Sequence, residues 1–469
     1  MPTDKGHPMT TSQKVQRRGL ILASAAVVAL AAACHNSITD SMLSVAEPNI
    51  IDPTNVNSVD GANALKVGAL ARFRNMTAGS ESDWLFGGLL ADEWVTSSTF
   101  IQNDEADERS ISLNNSTVTG QFRTINQVRT ASNQGIAALK KYRPTAAADI
   151  AELYLARGFA EMQLAQDFCN GIPLSDATVS PVGYGTPLTN DAVFKVALAS
   201  YDSAIALSNS LTDATGISVN RAAKVGRARA LLGTNDIAGA AALVAAIPTT
   251  FSYDHTFLTS SGDNILWSQP LSSRRYSVGD TTVRTSAGAF TVKPSIEFAS
   301  AKDPRLPAAN TPLNTKSQDG SVISFTTTMW AQSTTVPVLN GIDARMIEAE
   351  AALRLDNATG LLAILNALRA APPKLGEVQA AAMAPLVDPG TAAGRRDLMF
   401  REKAFWTFSR GQRLSDMRRL MRQYGMAEAS VFPTGTHYRG VPYGHDVNLP
   451  VPQDETNNPN FTGCLDRKP

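Results

Sequence analysis

The 469-residue sequence has too little of several residue types to belong to some common classes of protein. Its three cysteines are too few for a disulfide-dense small scaffold or for a zinc site of four thiolates. Its five histidines show no HExxH spacing, so a zinc hydrolase has little support. Lys plus Arg and Asp plus Glu each number 42, and without a cationic excess we expect no nucleic-acid partner.

One apolar run lies near the start of the chain, and no later run is long enough for a transmembrane helix. Residues 19–33 (GLILASAAVVALAAA) follow the cations Lys14, Arg17 and Arg18. This order is typical of a secretory signal, and the run is shorter than the roughly 20 apolar residues of a permanent span. We therefore expect a signal peptide over 1–33.

The residues around Cys34 resemble a bacterial lipobox, because small residues stand directly before the cysteine. The motif usually has Leu three positions before the cysteine, where this chain has Ala31. We expect lipid attachment at Cys34, a polar tether over 34–60 and a folded domain over 61–469. A plain secreted protein with a cysteine near its cleavage site is the alternative.

Apolar residues at helical spacing dominate the rest of the chain and predict a mainly α-helical fold. Several predicted helices form pairs with a tight turn and small residues between them, as in tetratricopeptide repeats. We expect stacked helical hairpins that bury one face of each helix against the next. One predicted helix is capped by Thr189 or Asn190. The segment 84–98 is predicted to begin as a helix and to turn into a polar loop. The other predicted helices are 62–76, 117–141, 145–168, 220–232, 236–247, 342–355, 358–370 and 395–423.

Residues 249–338 differ from the helical body, since they are rich in Ser and Thr and contain short alternating runs. They predict long loops with small hairpins inserted into that body. Long loops on a rigid scaffold often carry function, so ligand contacts are expected here.

No pattern of catalytic residues is present in the sequence. There is no G-x-S-x-G, no P-loop and no G-x-G-x-x-G. Asp92 and Glu93 are adjacent, but neighbours on a helix point about 100° apart and would not flank one bond. The acidic run 104–108 could bind calcium weakly, and a solvated loop is the favoured interpretation. We expect no enzyme activity, no cofactor and no metal.

Several short segments of the sequence form a recognisable series when they are taken in order. They are FCNGIPL at 168–174, DPR at 303–305, AEA at 349–351 with LNALR at 365–369, EK at 402–403 with RGQRLSDMRR at 410–419, and VPQDE with NPN at 451–460. Together they resemble the SusD/RagB family of outer-membrane nutrient-uptake lipoproteins. The resemblance covers essentially 34–469, with Arg410 and Trp406 standing where the family has glutamates.

These motifs predict structural contacts. Arg413, Asp416 and Arg419 are three positions apart on one helix and can pair, and Asp416 could bridge to a neighbouring hairpin. We expect these residues to hold the fold without touching a ligand.

The resemblance implies a non-catalytic lipoprotein on the cell outer membrane. Such a protein captures a nutrient, usually an oligosaccharide, and hands it to a TonB-dependent, SusC-like transporter. A periplasmic tetratricopeptide-like scaffold that grips peptides is the alternative. Sugars stack on aromatic faces, and Trp94 and Trp406 are expected in the core. The candidate ligand-binding residues are Phe100, Trp267, Tyr276 and Trp330, each of which could instead be a local hydrophobic plug.

The two remaining cysteines, Cys169 and Cys464, are predicted to form a disulfide. An oxidising compartment favours the bond, and a C-terminal tail folded back over the helical body would bring the two residues together. Two isolated thiols, with Cys169 buried as a small hydrophobic residue, are the alternative.

Overall fold

The computed structural model describes residues 57–179, 181–260 and 262–469. Cys34, the signal peptide over 1–33 and nearly all of the tether lie outside the described residues. In the part of the chain that is described, no helix has the length and apolar character needed to cross a membrane.

Helices form most of the regular structure, and a π-helical turn over Asn75–Gly79 follows the first of them. The mainly α-helical expectation is confirmed. The helices are α1 (Val59–Arg74), α2 (Asp83–Leu90), α3 (Ile101–Asp107), α4 (Ser116–Tyr142), α5 (Ala147–Asp167), α6 (Asn190–Ser208), α7 (Ala214–Gly233), α8 (Ile237–Val244), α9 (Ile265–Trp267), α10 (Gly341–Arg354), α11 (Ala358–Ala370), α12 (Ala392–Trp406) and α13 (Arg413–Tyr424).

Consecutive helices pack against one another as hairpins, with α5 between α4 and α6, and α7 against both α6 and α8. Small residues allow the close approach that this stack needs. A Cβ added to Gly226 of α7 would lie 2.5 Å from the ring of Tyr201 on α6. A Cβ on Gly158 of α5 would lie 3.2 Å from the same ring. Tyr201 is fully buried between these glycines, so the tetratricopeptide-like hairpin stack has a direct steric basis.

The strands are short and form two-stranded antiparallel pairs. The first pair joins residues next to α2 to the Ser/Thr-rich segment 249–338, with Trp94 opposite Val278. The pairs are β1 (Trp94–Thr96) with β5 (Tyr276–Val278), β2 (Ile172–Pro173) with β3 (Pro187–Leu188), β4 (Ser252–His255) with β10 (Val336–Asn340), β6 (Thr282–Thr285) with β7 (Gly288–Thr291), and β8 (Ala308–Ala309) with β9 (Thr326–Thr327).

The single helix predicted over 395–423 is wrong, because the structure has two helices, α12 and α13, with a turn between them. Ser409 and Gly411 in that turn have φ values of 58° and 63°. A Cβ at Gly411 would lie 2.2 Å from the indole of Trp84, so the close approach of that ring requires glycine. The helix predicted over 84–98 likewise ends at Leu90 and is followed by β1.

The residues of the sequence motifs form buried ion pairs that join distant segments. On α13, Arg419 pairs with Glu350 of α10, where Nη1 is 3.1 Å from the carboxylate. Asp416 pairs with Arg419 at 3.3 Å and with Lys403 of α12 at 2.6 Å. Arg413 pairs instead with Asp92, in a bidentate contact at 2.6 and 2.8 Å. The motif residues therefore hold helices together, as expected.

Arg410 stands where the motif usually has a glutamate, and it nevertheless forms a buried ion pair. Its guanidinium donates to both carboxylate oxygens of Asp343 at 3.1 and 2.9 Å, and both side chains are buried. Asp343 also completes the capping box at the start of α10 with Asn340. Arg410, which replaces the glutamate of the motif, thus has its own buried partner in Asp343.

The C-terminal tail lies against the helical body near the end of α5. Cys169 and Cys464 are joined in a disulfide with 5.9 Å between their Cα atoms, which is the pairing that the sequence predicted. Beside it, the side chain of Asn170 donates to Asp466 at 3.0 Å. The disulfide connects residues that are 295 positions apart in the sequence.

Candidate ligand-binding surface

Two of the four aromatic residues predicted to contact a ligand are buried in the core, so the prediction is wrong for them. Tyr276 is 0% exposed, and its hydroxyl donates to the carboxylate of Glu81 and accepts from Asn103 at 3.0 Å. Trp330 is 1% exposed, and its Nε1 donates to Ser409 at 2.8 Å. A ring without an exposed face cannot stack on a ligand. Trp94 and Trp406 are also buried, as expected.

The other two candidates, Phe100 and Trp267, reach the surface to different degrees. Trp267 is half-buried and packs against the hydrophobic core at the end of α9. Phe100 is 39% exposed at the N-terminus of α3. The guanidinium carbon of Arg275 lies 4.4 Å from the centroid of the Phe100 ring. An exposed aromatic ring backed by a cation is thus held at the edge of the irregular segment.

Backbone hydrogen bonds hold three distant segments together beside Phe100. Ser97 donates from its amide to the carbonyl of Arg275 and from its hydroxyl to that of Arg274, both at 3.0 Å. The amide of Gln318 donates to the Arg274 carbonyl at 3.0 Å, and that of Asp319 to the Ser97 carbonyl at 3.3 Å. We call the residues Phe100, Arg274, Arg275, Gln318, Asp319 and Arg439 the Phe100 surface.

Arg439 adds a fourth segment and links the charges of this surface. Its guanidinium contacts Asp319 at 2.9 Å and Asp104 at 3.0 Å. Burial alone would raise the pKa of Asp319, but hydrogen bonds from Ser321 and Ser317 and the charge of Arg439 hold that pKa below its ordinary value. Asp319 is therefore an ionised acceptor at neutral pH.

The side chain of Arg275 is half-buried. Its Nε is buried and has no hydrogen-bond partner among the described residues, so any contact to a ligand has to come from its terminal nitrogens. Gln318 is exposed. The Phe100 surface therefore combines an aromatic ring, amide and guanidinium donors and a carboxylate, the groups that bind sugar hydroxyls and the apolar face of a sugar ring.

The acidic run 104–108 is not the solvated loop that the sequence favoured. Most of it belongs to α3, which lies against β1. Asp107 accepts the amide of Thr96 at 2.7 Å, and Asp104 accepts the Thr96 hydroxyl at 2.9 Å. His437 lies 3.3 Å from the Asp107 carboxylate. The carboxylates therefore position the segment that carries Phe100.

A groove of about 500 Å³ lies elsewhere on the irregular segment, between the β6–β7 hairpin and the loop before β9. Leu313 on its rim is 83% exposed, and its polar side chains include Arg284 and Asn310. The half-buried Phe325 lines it and accepts, through its carbonyl, the amide of Val278 at 2.8 Å. This groove is a concave surface to compare with the Phe100 surface.

Sequence reasoning missed Arg275, Gln318 and Arg439. No local motif surrounds them, and they meet through contacts between segments that are far apart in the sequence, such as Ser97 with Arg274 (177 positions apart) and Asp319 with Arg439 (120 positions apart). Arg274 has a φ of 53°, which turns the chain before β5, but an arginine in a Ser/Thr-rich stretch does not reveal such a conformation.

The described fold is a stack of tetratricopeptide-like helical hairpins that carries one long irregular segment. Solved SusD-like proteins have this fold. A SusD-like carbohydrate-binding protein of Bacteroides fragilis superposes with a TM-score of 0.61 at 14% identity, covering 87% of this chain and 99% of that one. A SusD superfamily protein of Bacteroides vulgatus gives 0.58 at 13% identity, covering 86% and 98%. A laminarin-binding SusD-like protein gives 0.57 at 14% identity, covering 87% and 99%.

No protein-family model matches this sequence, and no curated protein matches it either. At these identities the likeness to the solved structures establishes a SusD-like fold.

Proposed function

We propose that this protein is a SusD-like, non-catalytic glycan-binding protein, and that the Phe100 surface binds the glycan. The observation that carries the proposal is the exposed Phe100 ring, held beside Arg275 on a SusD-like fold. One of the similar structures is a carbohydrate-binding protein and another binds laminarin, which supports the same class of ligand.

The chemistry of the surface suits an oligosaccharide. The exposed part of the Phe100 ring can cover the apolar face of a pyranose, while Arg275 and Gln318 donate to ring and hydroxyl oxygens. The ionised Asp319 accepts from sugar hydroxyls. A surface with an exposed aromatic platform suits a chain of sugars, because successive sugar rings can lie along it.

The test is affinity electrophoresis or calorimetry of the purified protein against a panel of polysaccharides that includes laminarin. We expect at least one to bind, and Phe100→Ala to weaken that binding at least tenfold, since one lost stacking contact is worth about 1.4 kcal/mol or more. Leu355→Ala, at a more exposed apolar residue (80%) next to α10, is the control and should bind as the wild type does.

A third variant tests whether the glycan binds at the Phe100 surface or in the groove. Leu313→Ala in the 500 Å³ groove should leave the affinity unchanged. If Leu313→Ala weakens binding and Phe100→Ala does not, the glycan binds in the groove. If no polysaccharide in the panel binds, the proposed function is wrong.

We further propose that the protein is anchored in the outer membrane through Cys34 and delivers its ligand to a TonB-dependent, SusC-like transporter. The cationic, apolar and small-residue order before Cys34 supports the anchor. Cys34→Ser should move the protein from the membrane fraction to the soluble fraction, and mass spectrometry of the wild type should find an acyl chain. An unmodified wild type that sediments with membranes just as the Ser variant does would contradict the anchor. Co-purification of a TonB-dependent transporter would test the partner.

A peptide-binding scaffold is the second candidate, favoured by an apolar groove of about 690 Å³ beside α11. Ile364 and Leu368 line it together with Pro372. Selection from a peptide library, followed by Ile364→Asp, distinguishes the two functions. Peptide capture that is lost in Ile364→Asp and kept in Phe100→Ala would favour the scaffold.

A further inference from the structure

A small cavity lies between the π-helical turn Asn75–Gly79, the N-terminus of α2 and the first half of α4. Its volume is about 10 Å³, which is room for a single water-sized particle. The side chains that line it are rich in oxygen and include Asn75, Ser80, Glu81, Asp83, Gln121 and Thr124. No Lys or Arg lines this cavity.

Two side chains of this cavity are almost completely buried and make no hydrogen bond to any described residue. Asp83 is 3% exposed, and neither of its carboxylate oxygens has a hydrogen-bond partner. Gln121 is 4% exposed, and neither its Oε1 nor its Nε2 has one. A buried polar group without a partner costs about 1–3 kcal/mol, and a charged group costs more. Both residues therefore have unused capacity that points to a ligand.

The side chains around the cavity offer oxygen atoms. Glu81 lines the same cavity and accepts from Tyr276 and, at 3.3 Å, from Asn103. The cavity is thus lined by carboxylate, amide and hydroxyl oxygens, the donors that hard cations prefer.

We propose that this cavity binds one divalent cation, calcium, held by Asp83, Gln121 and Glu81 with hydroxyl oxygens from Ser80 and Thr124. The described residues contain no group of three or more His, Cys, Asp or Glu side chains placed to hold a metal. The proposed site therefore differs from a conventional metal site, because amide and hydroxyl oxygens complete its set of donors. The bound ion neutralises the buried Asp83 carboxylate and uses the free amide oxygen of Gln121. The site joins α4 to the turn between α1 and α2.

The experiment is thermal unfolding of the chelator-treated mature protein with calcium chloride added, beside magnesium and potassium chloride at equal ionic strength. At about 100 times the dissociation constant, calcium should raise the Tm by about 3 °C for a domain of this size. Calorimetry should give one calcium per chain. Asp83→Asn, which keeps the shape of the side chain, should abolish the shift.

Two further variants keep the proposal testable if Asp83→Asn does not fold. Gln121→Leu should weaken calcium binding at least tenfold. Glu161→Gln is the matched control, because it removes a buried carboxylate that neither lines the cavity nor acts on Asp83, and it should retain a calcium-dependent shift. No shift in the wild type, or an equal shift in wild type, Asp83→Asn and Gln121→Leu, would overturn the proposal and leave the cavity to a water molecule.

Discussion

The helical body and the irregular segment 249–338 handle their polar groups in different ways. In the body, charges are buried in pairs between helices, as Glu350 and Arg419 are. In the segment, apart from the buried pair of Arg305 with Glu402 of the body, side chains satisfy the backbone locally: Nδ2 of Asn310 donates to the carbonyls of Thr315 and Ser324 at 2.8 and 2.7 Å. Removing one member of a buried ion pair leaves the other charge unpaired and destabilises the fold. A loop with local hydrogen bonds tolerates changes at its surface. The difference suggests why the binding groups lie on the segment and its borders.

The largest expected effect is at the buried pair of the body. Glu350→Ala should lower the free energy of unfolding by about 4 kcal/mol, because the guanidinium of Arg419 is then buried without its carboxylate. Urea unfolding measures this. The double variant Glu350→Met/Arg419→Met should recover most of the loss, since it removes both charges. A loss below 1 kcal/mol in the single variant would show that the body does not depend on its buried pairs.

A smaller effect with a pH signature is expected at Glu93, where the two regions meet. Burial raises the pKa of Glu93 to about 8, although it accepts the amide of Ser409. An unfolded glutamate titrates near 4.3, so the folded protein binds an extra proton between about pH 4 and 8, and this group lowers stability as the pH rises through that window. Glu93→Gln should therefore match the wild type near pH 4 and exceed it by about 2 kcal/mol at pH 8.

The matched control for Glu93 is another buried glutamate with an ion-pair partner. Glu402 accepts from Arg305 at 2.7 Å and from Arg369 at 2.8 Å. Glu402→Gln should destabilise the protein at pH 8, the opposite sign to Glu93→Gln. If both variants shift stability in the same direction, the environment assigned to Glu93 is wrong.

The smallest effect is expected on the surface of the irregular segment. Leu313→Ala and Arg284→Ala should each change the free energy of unfolding by less than about 0.5 kcal/mol, because both side chains are exposed. The same urea measurement applies. A loss above 2 kcal/mol in either variant would mean that the segment is as tightly coupled as the helical body.

The long helices could be predicted from the sequence because their apolar periodicity extends over many turns. The prediction over 117–141 differs from α4 by one residue at each end. The division of 395–423 into two helices could not be predicted, because apolar residues continue through the turn and the positive φ of Gly411 goes with its packing against Trp84. Local patterns thus predict helices, and tertiary contacts decide where they break.

The candidate site was less accessible to sequence reasoning. Phe100 was a candidate because it is an aromatic residue on a predicted loop, and the structure leaves it 39% exposed. Tyr276 and Trp330 have the same kind of sequence surroundings, yet pairing of β5 with β1 and the hydrogen bond to Ser409 bury them. Arg439 comes from the far end of the chain, and only the folded structure places it against Asp319.

The Phe100 surface draws on Phe100 itself near one end of the described chain and on Arg439, which contacts Asp319, near the other. A chain that stops before Arg439 would lack part of this surface, even if every helix before it had formed. If this surface binds the ligand as proposed, ligand capture depends on completion of the polypeptide, and an abortive or clipped product would not compete for ligand with intact molecules.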